Sequence, residues 1–338
     1  MTEAYVTVLT NDRYLPGALV VANALRDLGT TKRIAILVAN ISEETLGLLN
    51  TVFDDVINVN PIVSTSLEEL ADLGRPELAS TYTKILIWSQ VQFSKVIYLD
   101  ADVLPLVPID DFFEVELSEG EPIAASPDAG WPDIFNSGVF ITTPSQDTFY
   151  RLLSLAQTSE TPSFDGGDQG LLNEYFLGKW KRLSFTFNVT PTAGYQYVPA
   201  FIRFFKDIKI VHFIGLNKPW LSRDPSLFAS GSFGKGFEIM SSLHQSWWNV
   251  FNRHYLGKIA GEIFEISSIT HIEDHTEHGE GYLLDIPSLK NQWDDPNFCD
   301  KEEEIPDSVQ EIPPIFPWET EDRAPAERVF DETTDFYV

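Results

Sequence analysis

Apolar and polar positions alternate along the first hundred residues in two distinct rhythms. Tyr5–Leu9 is a short, almost wholly apolar run that predicts a buried strand. Pro16–Leu28 changes to helical spacing, with Leu19, Val20, Ala22 and Leu25 on the apolar side and Gly29 as C-cap. Arg33–Val38 predicts a second strand, and Ser42–Phe53 a second helix with Ser42 as its N-cap. Asp55–Asn60 predicts a third strand, Ala79–Val91 a helix, and Lys95–Leu99 a strand whose end delivers Asp100. The second half is less regular, with strands predicted at 137–143 and 209–214 and a helix at 146–156.

Strands joined by helices of this size predict an α/β fold with a mainly parallel central sheet and right-handed crossovers. In such sheets ligands gather outside the carboxyl ends of the strands. Thr10-Asn11-Asp12 and Asp100-Ala101-Asp102 both follow strand ends, so two polar clusters are expected on one rim.

Composition adds a boundary. The chain has 338 residues and a formal net charge of -28, which excludes nucleic acid and anionic membranes as partners. Residues 261–338 hold 22 acidic side chains against 4 basic ones, whereas 1–260 hold 29 against 19. Periodicity also fades from about Glu262, and Pro306, Pro313, Pro314 and Pro317 follow. The division predicted is a catalytic domain over 1–262 and an acidic extension over 263–338, partly disordered or wrapped on the domain.

No apolar run approaches the ~20 residues that span a bilayer. The N-terminus lacks the basic segment of a signal peptide. Cys299 is the only cysteine, so neither an internal disulfide nor a thiolate metal cluster can form. The sequons at Asn40 and Asn188 matter only in a secretory compartment, and a cytoplasmic location is expected.

Asp100 and Asp102 lie two apart at a strand end, so their carboxylates point the same way. They are either solvated acids in a turn or ligands for a hard divalent cation such as Mn²⁺ or Mg²⁺. His212, in the strand Ile210–Ile214, is either a satisfied core imidazole or a third ligand, with the cation of Lys218 one loop away. In Asp165-Gly166-Gly167-Asp168 the glycines allow a ligand close to the backbone. Asp168 fits both an N-cap and a substrate contact, while Asp165 reads better as a substrate contact. Lys84 and Trp88, four apart, share a helix face, and Lys84 either snorkels to water or pairs with an anion.

A series of these segments, taken in order, resembles the glycogenins. It comprises Val6-Thr7-Val8-Leu9-Thr10-Asn11-Asp12-x-Tyr14, Arg75-Pro76-Glu77-Leu78, Thr83-Lys84-x₃-Trp88 and Leu99-Asp100-Ala101-Asp102. It continues through Phe135-Asn136-Ser137-Gly138-Val139-Phe140, Asp165–Asn173, Phe187-Asn188, Tyr195-x-Tyr197-x-Pro199-Ala200-Phe201 and Val211-His212-Phe213-x-Gly215-x₂-Lys218-Pro219-Trp220. The resemblance covers roughly residues 5–260, and the acidic tail suggests a fungal type.

It implies the GT-A fold of retaining glycosyltransferase family 8, which also includes galactinol synthase and bacterial lipopolysaccharide sugar transferases. The activity it implies is transfer of glucose from UDP-glucose to a tyrosine of the enzyme itself, then growth of a short α-1,4-glucan that primes glycogen. Asp100, Asp102 and His212 would hold Mn²⁺. Thr10, Asn11 and Tyr14 would line the uridine pocket, Val8 standing where the family more often has Leu. Arg75, Lys84 and Lys218 would meet the diphosphate or the sugar. Asn136, Ser137, Asp165, Asp168 and Gln169 would hold the glucose, and Ala101 and Gly215 complete the donor-contacting set. Tyr195 would be the acceptor, although Gly194 beside it departs from the β-branched residue common in the family.

Asp165 is the candidate nucleophile of a double displacement, whereas a same-face route needs none; both stay open. A homodimer is expected, together with glycogen synthase bound through the C-terminal region. The rival readings are a transferase of the same fold using a small acceptor such as inositol, and a non-catalytic UDP-sugar-binding scaffold.

Overall fold

Strand alternation sorts side chains onto two faces of one sheet. On β1 (Thr2–Leu9), Tyr5 and Leu9 enter one core and Ala4 and Val6 the other. The same division holds on β2 (Arg33–Val38), where Ile34, Ile36 and Val38 face the first core and Ala35 and Leu37 the second. Strands buried on both faces need helices on both, and the computed structural model shows that arrangement. It describes residues 2–64, 70, 76–130, 132–158, 162–226 and 234–268.

The remaining strands are β3 (Asp55–Asn58), β4 (Phe93–Leu99), β5 (Val103–Pro105), β6 (Ile123–Pro127), β7 (Phe135–Thr142), β8 (Trp180–Arg182) and β9 (Ile210–His212). Seven form the main sheet in the order β3-β2-β1-β4-β7-β6-β8, and β5 pairs with β9. β3, β2, β1 and β4 run parallel, β7 is antiparallel to both β4 and β6, and β8 is parallel to β6. The α-helices are α1 (Leu15–Asp27), α2 (Glu43–Leu49), α3 (Gln146–Thr158), α4 (Asp168–Tyr175), α5 (Ala193–Gln196), α6 (Val198–Phe204), α7 (Gly234–Tyr255) and α8 (Ala260–Ser268). A 3₁₀ helix spans Pro76–Ser89.

The first core is closed by α1, α7 and α8. Trp247, Phe251 and Tyr255 recur four apart on α7 and make one buried aromatic row. Gly17 lets α1 settle onto the loop after β4: a Cβ there would stand 2.2 Å from the Ala101 carbonyl oxygen and 2.8 Å from the Trp220 ring. The second core lies under α3, α4 and the 3₁₀ helix, where Trp88 stacks on Phe140.

Several element bounds shift, and a helix crosses the expected domain boundary. The predicted helix 42–53 ends at Leu49, although Ser42 caps it as expected through the Thr45 amide at 3.2 Å. The segment predicted as 79–91 begins at Pro76, ends at Ser89 and is wound as a 3₁₀ helix. The strand expected over 209–214 is only Ile210–His212. The boundary at 262 falls inside α8, which buries Ile263 and Ile266 in the first core while Glu262 and Glu265 face outward.

Ile263→Ala should therefore destabilise the protein by about 2–5 kcal/mol, read as a lowered urea midpoint. An unchanged midpoint would show that α8 contributes nothing to the fold.

Candidate active site

β1 and β4 are parallel neighbours, so their carboxyl ends open on the same rim. The Asp100 amide donates to the Gly138 carbonyl at 2.8 Å, which seats the turn after β4 against β7. His212 arrives from elsewhere in the chain: β9 pairs with β5 so that His212 lies opposite Val103, and the Phe213 amide bonds the Asp102 carbonyl at 2.8 Å. Ligand atoms of Asp100, Asp102 and His212 all fall within 4.8 Å of one another.

Two buried ammonium groups close the cluster. Lys218 Nζ donates to Asp102 Oδ2 and, at 3.0 Å, to the Phe213 carbonyl, and lies 5.5 Å above the Tyr14 ring. Gly215, at φ +96°, makes the turn that returns Lys218 to this position. Lys84 Nζ lies 2.5 Å from Asp168 Oδ2, 3.1 Å from Asp100 Oδ1 and 3.2 Å from the Ser137 carbonyl. Lys84 therefore pairs with anions and does not snorkel.

Burial by itself would raise the Asp102 carboxyl, but Lys218 and His212 beside it hold it far below the usual carboxylate range. Both lysines are raised: burial opposes their charge, yet Asp102 outweighs it at Lys218, and Asp100 and Asp168 outweigh it at Lys84.

The wall beyond the carboxylates comes from β7 and α4. Ser137 Oγ donates to Asp168 Oδ2 at 2.7 Å, and its amide donates to Gln169 Oε1 at 3.2 Å. Asp168 opens α4 as its first residue with Gly167 at the cap position, so its carboxylate is not the N-cap. Asp165 does that work. Its Oδ1 accepts from the Gly167 and Gly170 amides at 2.9 and 3.0 Å and from Ser163 Oγ at 2.8 Å. Burial raises its carboxyl, against the lowering by Ser163 and those amides. Gly170 is required here, since a Cβ would stand 2.4 Å from Asp165 Oδ1.

On the β1 side, Thr10 Oγ1 meets Ser80 Oγ at 3.1 Å, Tyr14 packs edge-on against Trp220, and Val8 is half-buried. Asn11 Oδ1 is buried with no hydrogen-bond partner among the described residues, an acceptor left over at the rim. Arg75 lies outside the described residues. Tyr195 is 47 % exposed on α5. Its helix is held by α7, where a Cβ on Gly236 would approach the Gly194 carbonyl to 2.7 Å.

Three participants carried no prediction. Tyr98 donates its hydroxyl to Asp100 Oδ1, and only its position two before Asp100 hinted at this. Asn188, noted only as a sequon and within a motif, meets His212 Nδ1 at 3.0 Å. Asp128 accepts from Asn136 Nδ2 at 2.8 Å and Gln169 Nε2 at 3.1 Å, with no local signal.

The donor set fits a hard divalent cation: two carboxylates and an imidazole converge. The space beside them is kept open by Gly138, where a Cβ would stand 2.3 Å from His212 Cε1 and 3.0 Å from Asp100 Oδ2. The profile of Glycosyl transferase family 8 matches residues 5–224. The chain belongs to that family.

Its relatives include glycogenins. Glycogenin-1 of Oryctolagus cuniculus is 40% identical over 283 residues, covering 80% of this chain and 83% of that one. Glycogenin of Komagataella phaffii is 33% identical over 415 aligned positions, covering 98% and 99%. Glycogenin of Neurospora crassa is 43% identical over 257 residues, covering 75% of this chain. The chain spans only 36% of that relative and 65% of Glycogenin-1 of Mus musculus. Among solved structures, the galactosyltransferase LgtC with donor and acceptor sugar analogs aligns at TM-score 0.51 and 22% identity, covering 72% of this chain and 95% of its own. GlyE of Streptococcus pneumoniae aligns at TM-score 0.52 and 20% identity, covering 75% and 63%. These two establish the GT-A glycosyltransferase fold for this family 8 member.

Gly138→Ala should displace His212 and weaken Mn²⁺ binding about tenfold or more, measured by calorimetric titration. Unchanged affinity would mean that the cation does not use His212 and Asp100 together.

Proposed function

We propose that the chain transfers glucose from UDP-glucose to its own Tyr195 and then extends a short α-1,4-glucan that primes glycogen synthesis. The observation that carries this reading is the convergence of Asp100, Asp102, His212, Lys84 and Lys218 on one rim, in a family 8 chain whose relatives are glycogenins. Asp100, Asp102 and His212 would hold Mn²⁺ or Mg²⁺, which would supply charge stabilisation at the departing diphosphate.

The chain's own groups do the rest. Lys218, charged and fixed between Asp102 and the Phe213 carbonyl, supplies a positive point at the leaving group without reorganising. Lys84 holds Asp168 and Asp100 in place and, with Arg75, is assigned to the diphosphate or the sugar. Asn136, Ser137, Asp168 and Gln169 form the hexose wall. Thr10, Asn11 and Tyr14 receive the uridine, and the unpartnered Asn11 Oδ1 offers it an acceptor. Asp165 keeps Oδ1 engaged in starting α4, which supports a positioning role for that atom at the sugar.

The exposure of Tyr195 supports a homodimer in which one subunit glucosylates the other. The extension 263–338 is assigned to docking glycogen synthase, where a Pro-containing tether raises effective concentration. The compartment proposed is the cytoplasm; no helix among the described residues is long and apolar enough to cross a membrane.

Incubation with UDP-glucose and Mn²⁺ should give a ladder of added hexoses by intact mass, absent in Tyr195→Phe. UDP release without mass gain would assign the acceptor elsewhere. Mixing Tyr195→Phe with Lys84→Gln should restore labelling of the Lys84→Gln chain; no labelling would end the inter-subunit route.

A further inference from the structure

We propose that Asn188 is a positioning residue that holds His212 with its proton on Nδ1, leaving the Nε2 lone pair turned to Asp100 and Asp102. The inference rests on the reading of these three residues as a cation site.

The polarity is set far from the imidazole. Ionised Asp128 can only accept hydrogen bonds, so Asn136 turns Nδ2 to it, at 2.8 Å. A second, independent pin agrees: the Gly138 amide, which can only donate, reaches Asn136 Oδ1 at 3.0 Å. Reversing Asn136 would set oxygen against carboxylate on one side and N–H against N–H on the other. Asn136 Oδ1 therefore accepts, and Asn188 Nδ2 donates to it at 2.8 Å. That commits the other end of the Asn188 amide: Oδ1 faces His212 Nδ1 at 3.0 Å and can only accept, so Nδ1 carries the proton.

Burial makes the relay strict. Asn136, Asn188 and His212 are 2%, 3% and 3% exposed, so a mismatched contact would go unrepaired by bulk water. Backbone bonds keep the amide in register, because the Val189 amide meets the Ile210 carbonyl at 3.0 Å and the His212 amide meets the Val189 carbonyl at 2.8 Å. One contact pulls the other way. Asp102 Oδ1, 3.3 Å from Nε2, favours a proton on that nitrogen, so the two tautomers are in true competition.

The test is a long-range ¹H–¹⁵N correlation of the histidine rings in the metal-free full chain at alkaline pH. His212 is expected as the Nδ1–H tautomer. Asn188→Ala should give mixed tautomers and a 10–100-fold loss of Mn²⁺ affinity, whereas a residue of merely structural importance would lower the melting temperature and leave the tautomer ratio alone. The exchange variant Asp128→Asn/Asn136→Asp should keep the Nδ1–H form, since an amide still donates to a carboxylate at that step. An Nε2–H tautomer in the unaltered protein, or an unchanged ratio in Asn188→Ala, would overturn the proposal. If Asn188→Ala does not fold, the unaltered protein and the exchange variant still decide. Failure of Mn²⁺ to bind an Nδ1–H protein would remove the cation reading and leave the relay standing.

Discussion

The mutual neutralisation of Asp100, Asp102 and Asp168 by Lys84 and Lys218 is the constraint from which much of the architecture follows. A lone ionised group at this depth would cost several kcal/mol, on the order expected for any charge withdrawn from water. Interleaving the signs removes that cost only if every element arrives in place. The 3₁₀ helix must present Lys84, the turn at Gly215 must return Lys218, and α4 must begin at Asp168. The fold thus holds a dense charge array with its cations fixed, which is what stabilising a departing diphosphate requires.

Much of this was legible in the sequence because strands are read by local periodicity. Short apolar runs at 5–9, 33–38 and 95–99, whose side chains alternate between faces as strands require, placed three parallel strands and brought two polar clusters to one rim. The same alternation put the Asp100 and Asp102 carboxylates on a common side. Side-chain pairing between distant segments had no such signal. Asn188 and Asn136 are 52 residues apart, and Asp128 and Gln169 are 41 apart, so neither pair has a spacing to detect.

Two other departures have causes of their own. α8 carries so many acidic and small residues that its two buried isoleucines were overshadowed by the charge of the chain around them. At Asp165 and Asp168 the residue types allowed either to cap the helix. The choice depended on Lys84, eighty-odd positions away, which captures Asp168 and leaves Asp165 to the amides.

α8 also packs against α1 and the short turn Asp12–Tyr14 that precedes it. Tyr14 is the side chain that shelters Lys218 and leans on Trp220. α8 is thus a prop for Tyr14 and, through it, for the wall on which Lys218 rests. A substitution that loosens this helix would therefore be felt at a buried cation on another part of the chain.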